Sequence, residues 1–189
     1  WRQPKMSTPV YFIDGNHEDH HALAKLVKDY KPARLCENIT YQPRGSLLVL
    51  DGIRILCFGG AYSIDKDMRT PGWDWFPEEE PSQVELDRAL EAVDNVDIIV
   101  THDAPMAFGD IGSYHTEQSW TRKALNELWN AATPKYWFFG HHHKLAEGRF
   151  HHNALWKLCP IATRHIAWGI DTKLMNEPTI WNVELKLNY

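Results

Sequence analysis

The sequence is poor in cysteine, which limits the ways in which the chain could be cross-linked. Only three cysteines occur among the 189 residues, at Cys36, Cys57 and Cys159, and none of them forms a Cys-x-x-Cys pair. An odd and widely spaced set argues against a disulfide framework and is typical of reduced thiols. We therefore expect mostly buried, reduced cysteines and a cytoplasmic location.

The sequence also lacks long apolar runs and any excess of positive charge. No run approaches the roughly 18 apolar residues that span a bilayer, so we expect no membrane partner. With 20 Lys and Arg against 25 Asp and Glu, the formal net charge is −5. This charge disfavours sequence-independent binding of nucleic acid, which normally needs a basic face, but it is compatible with a small phosphate ester held by metal.

The residues that are present predict one folded α/β domain. A hydrophobic fraction of 43% and nine tryptophans are sufficient for a substantial core. Periodicity and turn residues predict strands at 10–13, 47–50, 53–58, 98–100, 136–139 and 179–187, and helices at 22–30, 82–93 and 120–131. The first helix would carry Leu23, Leu26 and Val27 on one face. Because strands alternate with helices and Asp51-Gly52 marks a hairpin, we predict a mixed sheet.

Three short polar runs follow three of the predicted strands. They are Gly15-Asn16-His17-Glu18, Thr101-His102 and Gly140-His141-His142-His143. Amide oxygens and imidazole nitrogens are common metal ligands, and loops at strand ends can converge although they lie far apart in sequence. Together the runs predict one metal site.

Each run has a second interpretation when it is taken alone. The first matches a Gly-Asn turn with a surface histidine, and His102 matches a hydrogen-bonded structural residue. The histidine run matches a solvated cluster or a tag remnant, although its internal position after an apolar strand disfavours a tag. In an extended segment alternate residues point the same way. We therefore expect His141 and His143 to face one pocket and His142 to point elsewhere.

As an ordered set, the three runs resemble the motifs of the calcineurin-like metallophosphoesterase family. Two further segments, 58–65 and 73–79, resemble a bacterial and phage branch of that family. The resemblance extends to about Lys144. It implies a metallophosphoesterase-like α/β fold, in which a mixed two-sheet β-sandwich is flanked by helices.

The resemblance also implies a dinuclear centre of two divalent metal ions, Mn, Fe or Zn. By motif, Asn16, His102 and His141 would bind one metal, and His143 would bind the other. The catalytic residue would be His17, which would stabilise the transition state or protonate the leaving oxygen, while Glu18 would orient it. Two cations neutralise phosphate charge and activate a water that attacks in line.

Two motifs of the family are not found where the resemblance places them. The family has an Asp-x-His motif and a Gly-Asp motif before the first run, and residues 1–9 contain neither. Asp19-His20-His21 and Gly109-Asp110 match superficially but lie out of order. We therefore expect residues 1–189 to form a single metallophosphoesterase-like domain that is N-terminally incomplete and belongs to a longer enzyme.

The leading prediction is a metal-dependent phosphoesterase that uses metal-activated water and forms no covalent intermediate. Its substrate would be a phosphodiester or a phosphomonoester, with a slight preference for the diester, and a nucleotide is one candidate. One alternative is a non-catalytic binding or scaffold protein that keeps the fold. The other is a nuclease acting on structured ends, which would need a local basic groove.

Three further segments lie between the first and second runs, and two of them allow two interpretations. Trp73, Trp75 and Phe76 would form an aromatic wall beside the substrate or would pack in the core. Asp65, Lys66 and Arg69 would contact phosphate or would belong to a solvated loop. The acidic run 78–80 is expected to be solvated and to lead into the helix that Ser82 caps.

Overall fold

The computed structural model describes residues 8–108 and 118–142, together with the backbone of four strands further along the chain. The strands are β1 Val10–Phe12, β2 Ala33–Arg34, β3 Ile39–Tyr41, β4 Ser46–Leu50, β5 Ile53–Phe58, β6 Ile98–Thr101, β7 Tyr136–Phe139, β8 Ala146–Arg149, β9 Leu155–Leu158, β10 Ile166–Ile170 and β11 Ile180–Glu184. The α-helices are α1 His20–Leu26, α2 Gln83–Ala92 and α3 Trp120–Ala131, and 3-10 helices span Lys66–Met68, Pro77–Glu79 and Met106–Phe108. None of the described helices is long and apolar enough to cross a membrane.

The described strands form a large mixed sheet, a small mixed sheet and a separate pair. The large sheet has the order β4-β5-β6-β7-β9-β8, with β5, β6, β7 and β9 parallel and both edge strands antiparallel to their neighbours. In the small sheet, β3 lies between β1, to which it is parallel, and β2, to which it is antiparallel. The α/β class, with two mixed sheets flanked by helices, is confirmed.

The core of the large sheet follows from the two-residue period of its strands. Leu56 and Phe58 of β5 face α2 and α3, as do Trp137 and Phe139 of β7. The alternate residues of the same strands, among them Cys57 and Phe138, belong to a second cluster. The parallel strands are therefore apolar on both faces, as expected for a sheet that is covered on both sides.

Local signals place several elements where they were predicted. The β4–β5 hairpin turns at Asp51-Gly52, whose φ angles of 49° and 82° suit the type I′ turn that such a dipeptide favours. Helix α2 begins with a capping box between Ser82 and Glu85, and α3 spans the predicted residues. The predicted strand at 179–187 overlaps β11, which pairs with β10.

Helix α1 differs from the prediction in its bounds, and its apolar face is poorly covered. It begins at His20, where the Asp19 side chain accepts from the Ala22 amide, and it ends at Leu26, which is 45% exposed. His20 is its one buried residue, because Leu23 and Val27 line an open groove beside Pro77–Glu79 and the start of α2. The apolar spacing correctly indicated a helix, but spacing alone does not reveal whether a facing element is close enough to cover it.

Candidate metal centre

The three polar runs meet at one edge of the large sheet. The loops after β6 and β7 are adjacent because these strands are parallel neighbours, and the Gly140 amide donates to the His102 carbonyl at 2.9 Å. The loop after β1 joins them through the segment after β5, where the Gly60 amide donates to the Asp14 carbonyl at 3.1 Å. Strand ends that lie far apart in sequence thus form one cluster.

This cluster brings together three of the four predicted ligands. The Nε2 atom of His102 lies 3.2 Å from the Oδ1 atom of Asn16. The rings of His102 and His141 have their centroids 5.3 Å apart, at an interplanar angle of 59°. His143, the fourth predicted ligand, lies outside the described residues.

Gly15 allows the first loop to approach the second. A Cβ atom at this position would lie 2.6 Å from Cε1 of His102, a distance that side chains do not tolerate. Any larger residue would therefore push the His102 ring away from Asn16.

His141 is held in an unusual backbone conformation. Its φ is +65°, and the His142 amide donates to the Gly140 carbonyl at 2.7 Å, which closes a three-residue γ-turn around His141. The segment is therefore not extended here, and the alternation argument used above does not apply to it. A non-glycine residue with positive φ is strained, and such strain is often found at functional sites.

His142 points into the interior and contacts a residue next to His102. Its Nε2 atom lies 2.9 Å from the buried Asp103 carboxylate. Burial alone would raise the pKa of Asp103, but the hydrogen bond from His142 and the charge of His141 outweigh it, so that the pKa is lowered. The ionised carboxylate therefore stabilises the histidine loop next to His102.

A buried chain of hydrogen bonds orients the Asn16 amide. Its Nδ2 atom donates to Oγ of Ser63 at 2.9 Å, and Ser63 in turn donates to the Glu79 carboxylate. The Asn16 oxygen is therefore the atom that faces His102. The expectation that the acidic run is solvated is wrong for Glu79, which is only 1% exposed. Burial raises the pKa of this carboxyl group.

No sequence pattern predicted the roles of Ser63 and Glu79. The available signal was the Gly59-Gly60 turn directly after β5, where Gly60 has a φ of +89° and a Cβ would lie 2.6 Å from the Glu79 carbonyl oxygen. This turn carries Ser63 back toward the first loop. Neither residue type signals such a role by itself, because serine and glutamate are common on surfaces.

A buried ion pair lies under the first loop, between Asp14 and Arg44. The Arg44 Nη2 and Nε atoms lie 2.6 Å and 2.9 Å from the Asp14 carboxylate, and the Tyr41 hydroxyl donates to it at 2.8 Å. Burial and the charge of Asp14 raise the pKa of Tyr41. Burial opposes the charged form of Arg44, but the charges of Asp14 and Glu85 outweigh it and raise the pKa of the guanidinium.

His17 and Glu18 differ in what they contact. His17 is exposed, and its Nε2 atom lies 3.4 Å from both Asn16 Nδ2 and Arg69 Nη2. The Glu18 carboxylate accepts from the amides of Gly15 and His17, at 2.7 Å and 3.2 Å. Glu18 therefore holds the backbone of the turn that carries His17.

Of the two look-alike motifs, Asp19-His20-His21 belongs to the start of helix α1. Asp19 is the N-cap of α1, and His20 and His21 are the first two residues of this helix. Gly109-Asp110 lies outside the described residues.

The donor set fits a divalent cation. In the described part of the chain, no group of three or more His, Cys, Asp or Glu side chains is arranged to hold a metal ion, so the candidate set is two imidazoles and one amide. Ligand atoms about 2.1 Å from one metal lie about 3–3.4 Å apart, which agrees with the 3.2 Å between Asn16 and His102. Burial lowers the pKa of His102 to about 4, and a neutral imidazole is the form that binds metals.

We predict that the buried ion pair contributes strongly to stability. Arg44→Met keeps most of the side-chain volume but leaves the Asp14 carboxylate buried without its counter-charge, which costs about 3–5 kcal/mol in the free energy of unfolding. Lys135→Met is the control, because it breaks the exposed pair between Lys135 and Asp97 and costs less than about 1 kcal/mol. Urea denaturation measures both, and equal losses would contradict the role given to Arg44.

The sequence matches a known protein family over most of its length. A family model described as calcineurin-like phosphoesterase matches residues 2–145, a segment that includes all three polar runs. No curated protein matches the sequence significantly. Because the match covers well over half of the 189 residues, the chain belongs to the calcineurin-like phosphoesterase family.

Proposed function

We propose that this protein is a metal-dependent phosphoesterase that hydrolyses a phosphodiester or a phosphomonoester. Its family in general acts on phosphate esters and uses two divalent metal ions. The observation that carries the proposal is the approach of Asn16 Oδ1 and His102 Nε2 to 3.2 Å, beside the strained His141 turn. Two donors of suitable type, held at a ligand-like separation at the ends of parallel strands, are what a metal site requires.

We assign Asn16, His102 and His141 to one metal and His143 to the other, with Mn, Fe or Zn as candidate metals. When bound, such ions neutralise phosphate charge and lower the pKa of a bound water. The chain itself contributes the orientation of the ligands. Ser63 and Glu79 direct the Asn16 oxygen, and Asp103 with His142 stabilises the loop that carries His141.

His17 is the residue that we propose to act on the substrate. Its ring is exposed next to Asn16, so that it can reach a phosphate held beside that ligand. Glu18 positions His17 by accepting from its backbone amide. The ring would either protonate the leaving oxygen or stabilise charge on the phosphate.

We further propose that residues 1–189 belong to a single domain of this family and act in the cytoplasm. A free, buried thiol at Cys57 is compatible with a reducing compartment. Burial raises the pKa of this thiol to about 12, so that it stays protonated and unreactive.

We predict metal-dependent hydrolysis as the direct test of this function. The protein loaded with Mn should hydrolyse bis-(p-nitrophenyl) phosphate or p-nitrophenyl phosphate, should lose this activity in chelator, and should hold about two metals per chain by elemental analysis. Asn16→Ala should abolish both properties, whereas Asn130→Ala, on the exposed end of α3, should change neither. A folded protein without metal and without turnover would instead support the scaffold alternative.

We predict that Ser63 controls metal affinity although it does not bind the metal. Ser63→Ala frees the Asn16 amide to rotate, and loss of such an outer partner typically lowers metal affinity about 10–100-fold. Calorimetric titration with Mn measures the affinity. Thr133→Ala removes an exposed hydroxyl just before β7, at the end of this strand opposite to the histidine run, and should leave the affinity unchanged, so an equal effect in both variants would indicate general destabilisation.

We predict that His17→Ala lowers kcat by about 10²–10⁴-fold without changing metal content. Comparison of a p-nitrophenyl ester with the corresponding phenyl ester separates the two roles, because phenol is the more basic leaving group. A larger loss on the phenyl ester would show that His17 protonates the leaving oxygen, and equal losses would show charge stabilisation. His21→Ala is the control, and unchanged turnover in His17→Ala would contradict the assignment.

A further inference from the structure

A cleft opens beside His17, and apart from His17 and Glu18 its lining residues have no part in the chemistry proposed above. It has a volume of about 460 Å³, and the side chains of His17, Arg69 and Trp73 lie along its wall together with Glu18, Asp19 and Asp74. A phosphate held next to His17 would therefore extend its remaining substituent into this space.

Arg69 is held in place at the inner end of the cleft. Its side chain is only 12% exposed, and Nε and Nη2 lie 2.9 Å and 2.8 Å from one oxygen of Asp65. Nη1 lies 3.7 Å from the Glu79 carboxylate, and Nη2 lies 3.4 Å from His17. The guanidinium thus meets a substrate in a fixed orientation, which avoids the entropic cost of ordering a free arginine.

Trp73 presents its indole ring to solvent at the outer end. The residue is 83% exposed. Its loop is nevertheless tightly bonded, because the Thr70 carbonyl accepts from the amides of Trp73, Asp74 and Trp75 at 3.1–3.3 Å, and the Gly72 amide donates to the Trp75 carbonyl at 2.8 Å. An exposed aromatic ring on a fixed loop is suited to stacking against a planar group.

The charges along the cleft restrict what can bind there. Three carboxylates lie on its wall, at Glu18, Asp19 and Asp74, and the one guanidinium there, that of Arg69, is already paired with Asp65 and lies 3.7 Å from Glu79. These carboxylates would repel a second phosphate, whereas one phosphate at the inner end lies next to Arg69. The lining therefore favours an uncharged substituent over a polyanion such as a nucleic-acid strand.

We propose that this cleft binds the uncharged aromatic substituent of a phosphodiester, stacked on Trp73, while Arg69 contacts the phosphate. The inference rests on the proposed phosphoesterase function and specifies its substrate class. A diester is required in this orientation because the substituent in the cleft stays on the phosphorus. The orientation goes with the charge-stabilising role of His17, since a ring that protonated the leaving oxygen would face the leaving group instead. A nucleoside linked through one phosphate has the required chemistry.

Two diesters with the same leaving group test the proposal. Thymidine 5′-(p-nitrophenyl phosphate) and methyl p-nitrophenyl phosphate both carry one negative charge and release p-nitrophenol, so the ratio of their kcat/KM values reports only the substituent. Trp73→Ala should lower this ratio at least fivefold, mainly through KM for the thymidine ester, and Trp73→Phe should retain most of it. Met68→Ala is the control, because Met68 is 85% exposed and lies outside the cleft.

A third ester tests the charge argument. A 3′-phosphate added to the thymidine ester should lower kcat/KM several-fold at low salt, because it places a second anion among the carboxylates. An increase would show that the cleft accepts a polyanion and would overturn the proposal. An unchanged ratio of the first two esters in Trp73→Ala would overturn it as well.

Binding measurements separate this inference from the proposed function. Calorimetric titration of the Mn-loaded protein with thymidine 5′-(methyl phosphate) and with dimethyl phosphate requires no turnover. If neither p-nitrophenyl ester is hydrolysed but the thymidine diester binds more tightly in a Trp73-dependent manner, the phosphoesterase function fails and the binding site stands. If the esters are hydrolysed but Trp73 affects neither the ratio nor the binding, the function stands and the site is wrong.

Discussion

The buried ion pair between Asp14 and Arg44 is the constraint on which the arrangement of the candidate site depends. Both side chains are almost fully enclosed, and a buried charge is tolerated only where its partner and its hydrogen bonds are in place. Asp14 lies two residues after β1 and two before Asn16, and Arg44 lies two residues before β4. Arg44 also donates to the carbonyls of Glu78 and Glu79. The small sheet, the large sheet and the acidic turn are therefore held in one relative position.

Glu79 contacts residues on both sides of the site. Its carbonyl accepts from Arg44 and from the Ala61 amide, which fixes the backbone of the turn. Its carboxylate accepts from Ser63 on the metal side and lies close to Arg69 on the substrate side. A single buried carboxylate thus orients Asn16, through Ser63, and a guanidinium beside His17. Outer contacts of this kind set the precision of a metal site as much as the ligands do.

Several local features of the cluster lower the free energy of unfolding. His141 has a left-handed backbone, the Gly15 loop packs against the His102 ring at a distance that only glycine permits, and Glu79 is buried away from water. Such features lower stability and persist where the surrounding structure enforces them. These features meet where the three loops come together, and they are part of the reason that we propose a working centre there.

Local sequence patterns were sufficient for most of the described elements and for the polar runs that meet in the cluster. The hairpin at Asp51-Gly52, the capping box at Ser82 and helix α3 all depend on neighbours within a few positions. Such signals can be recognised in the sequence alone. The polar runs after β1, β6 and β7 are equally local. The bounds of helix α1 differ from the prediction, and the exposure of its apolar face depends on the distance to a facing element.

The partners of the site residues, by contrast, were decided by tertiary structure. Ser63 lies 47 positions from Asn16, Arg44 lies 30 positions from Asp14, and Arg69 lies 52 positions from His17. No periodicity or turn propensity links residues at such separations, because hydrogen bonds and ion pairs depend on where the strands end in space. The sequence alone therefore determined the local elements and the order of the polar runs, while the packing of the two sheets determined which atoms of these runs face one another.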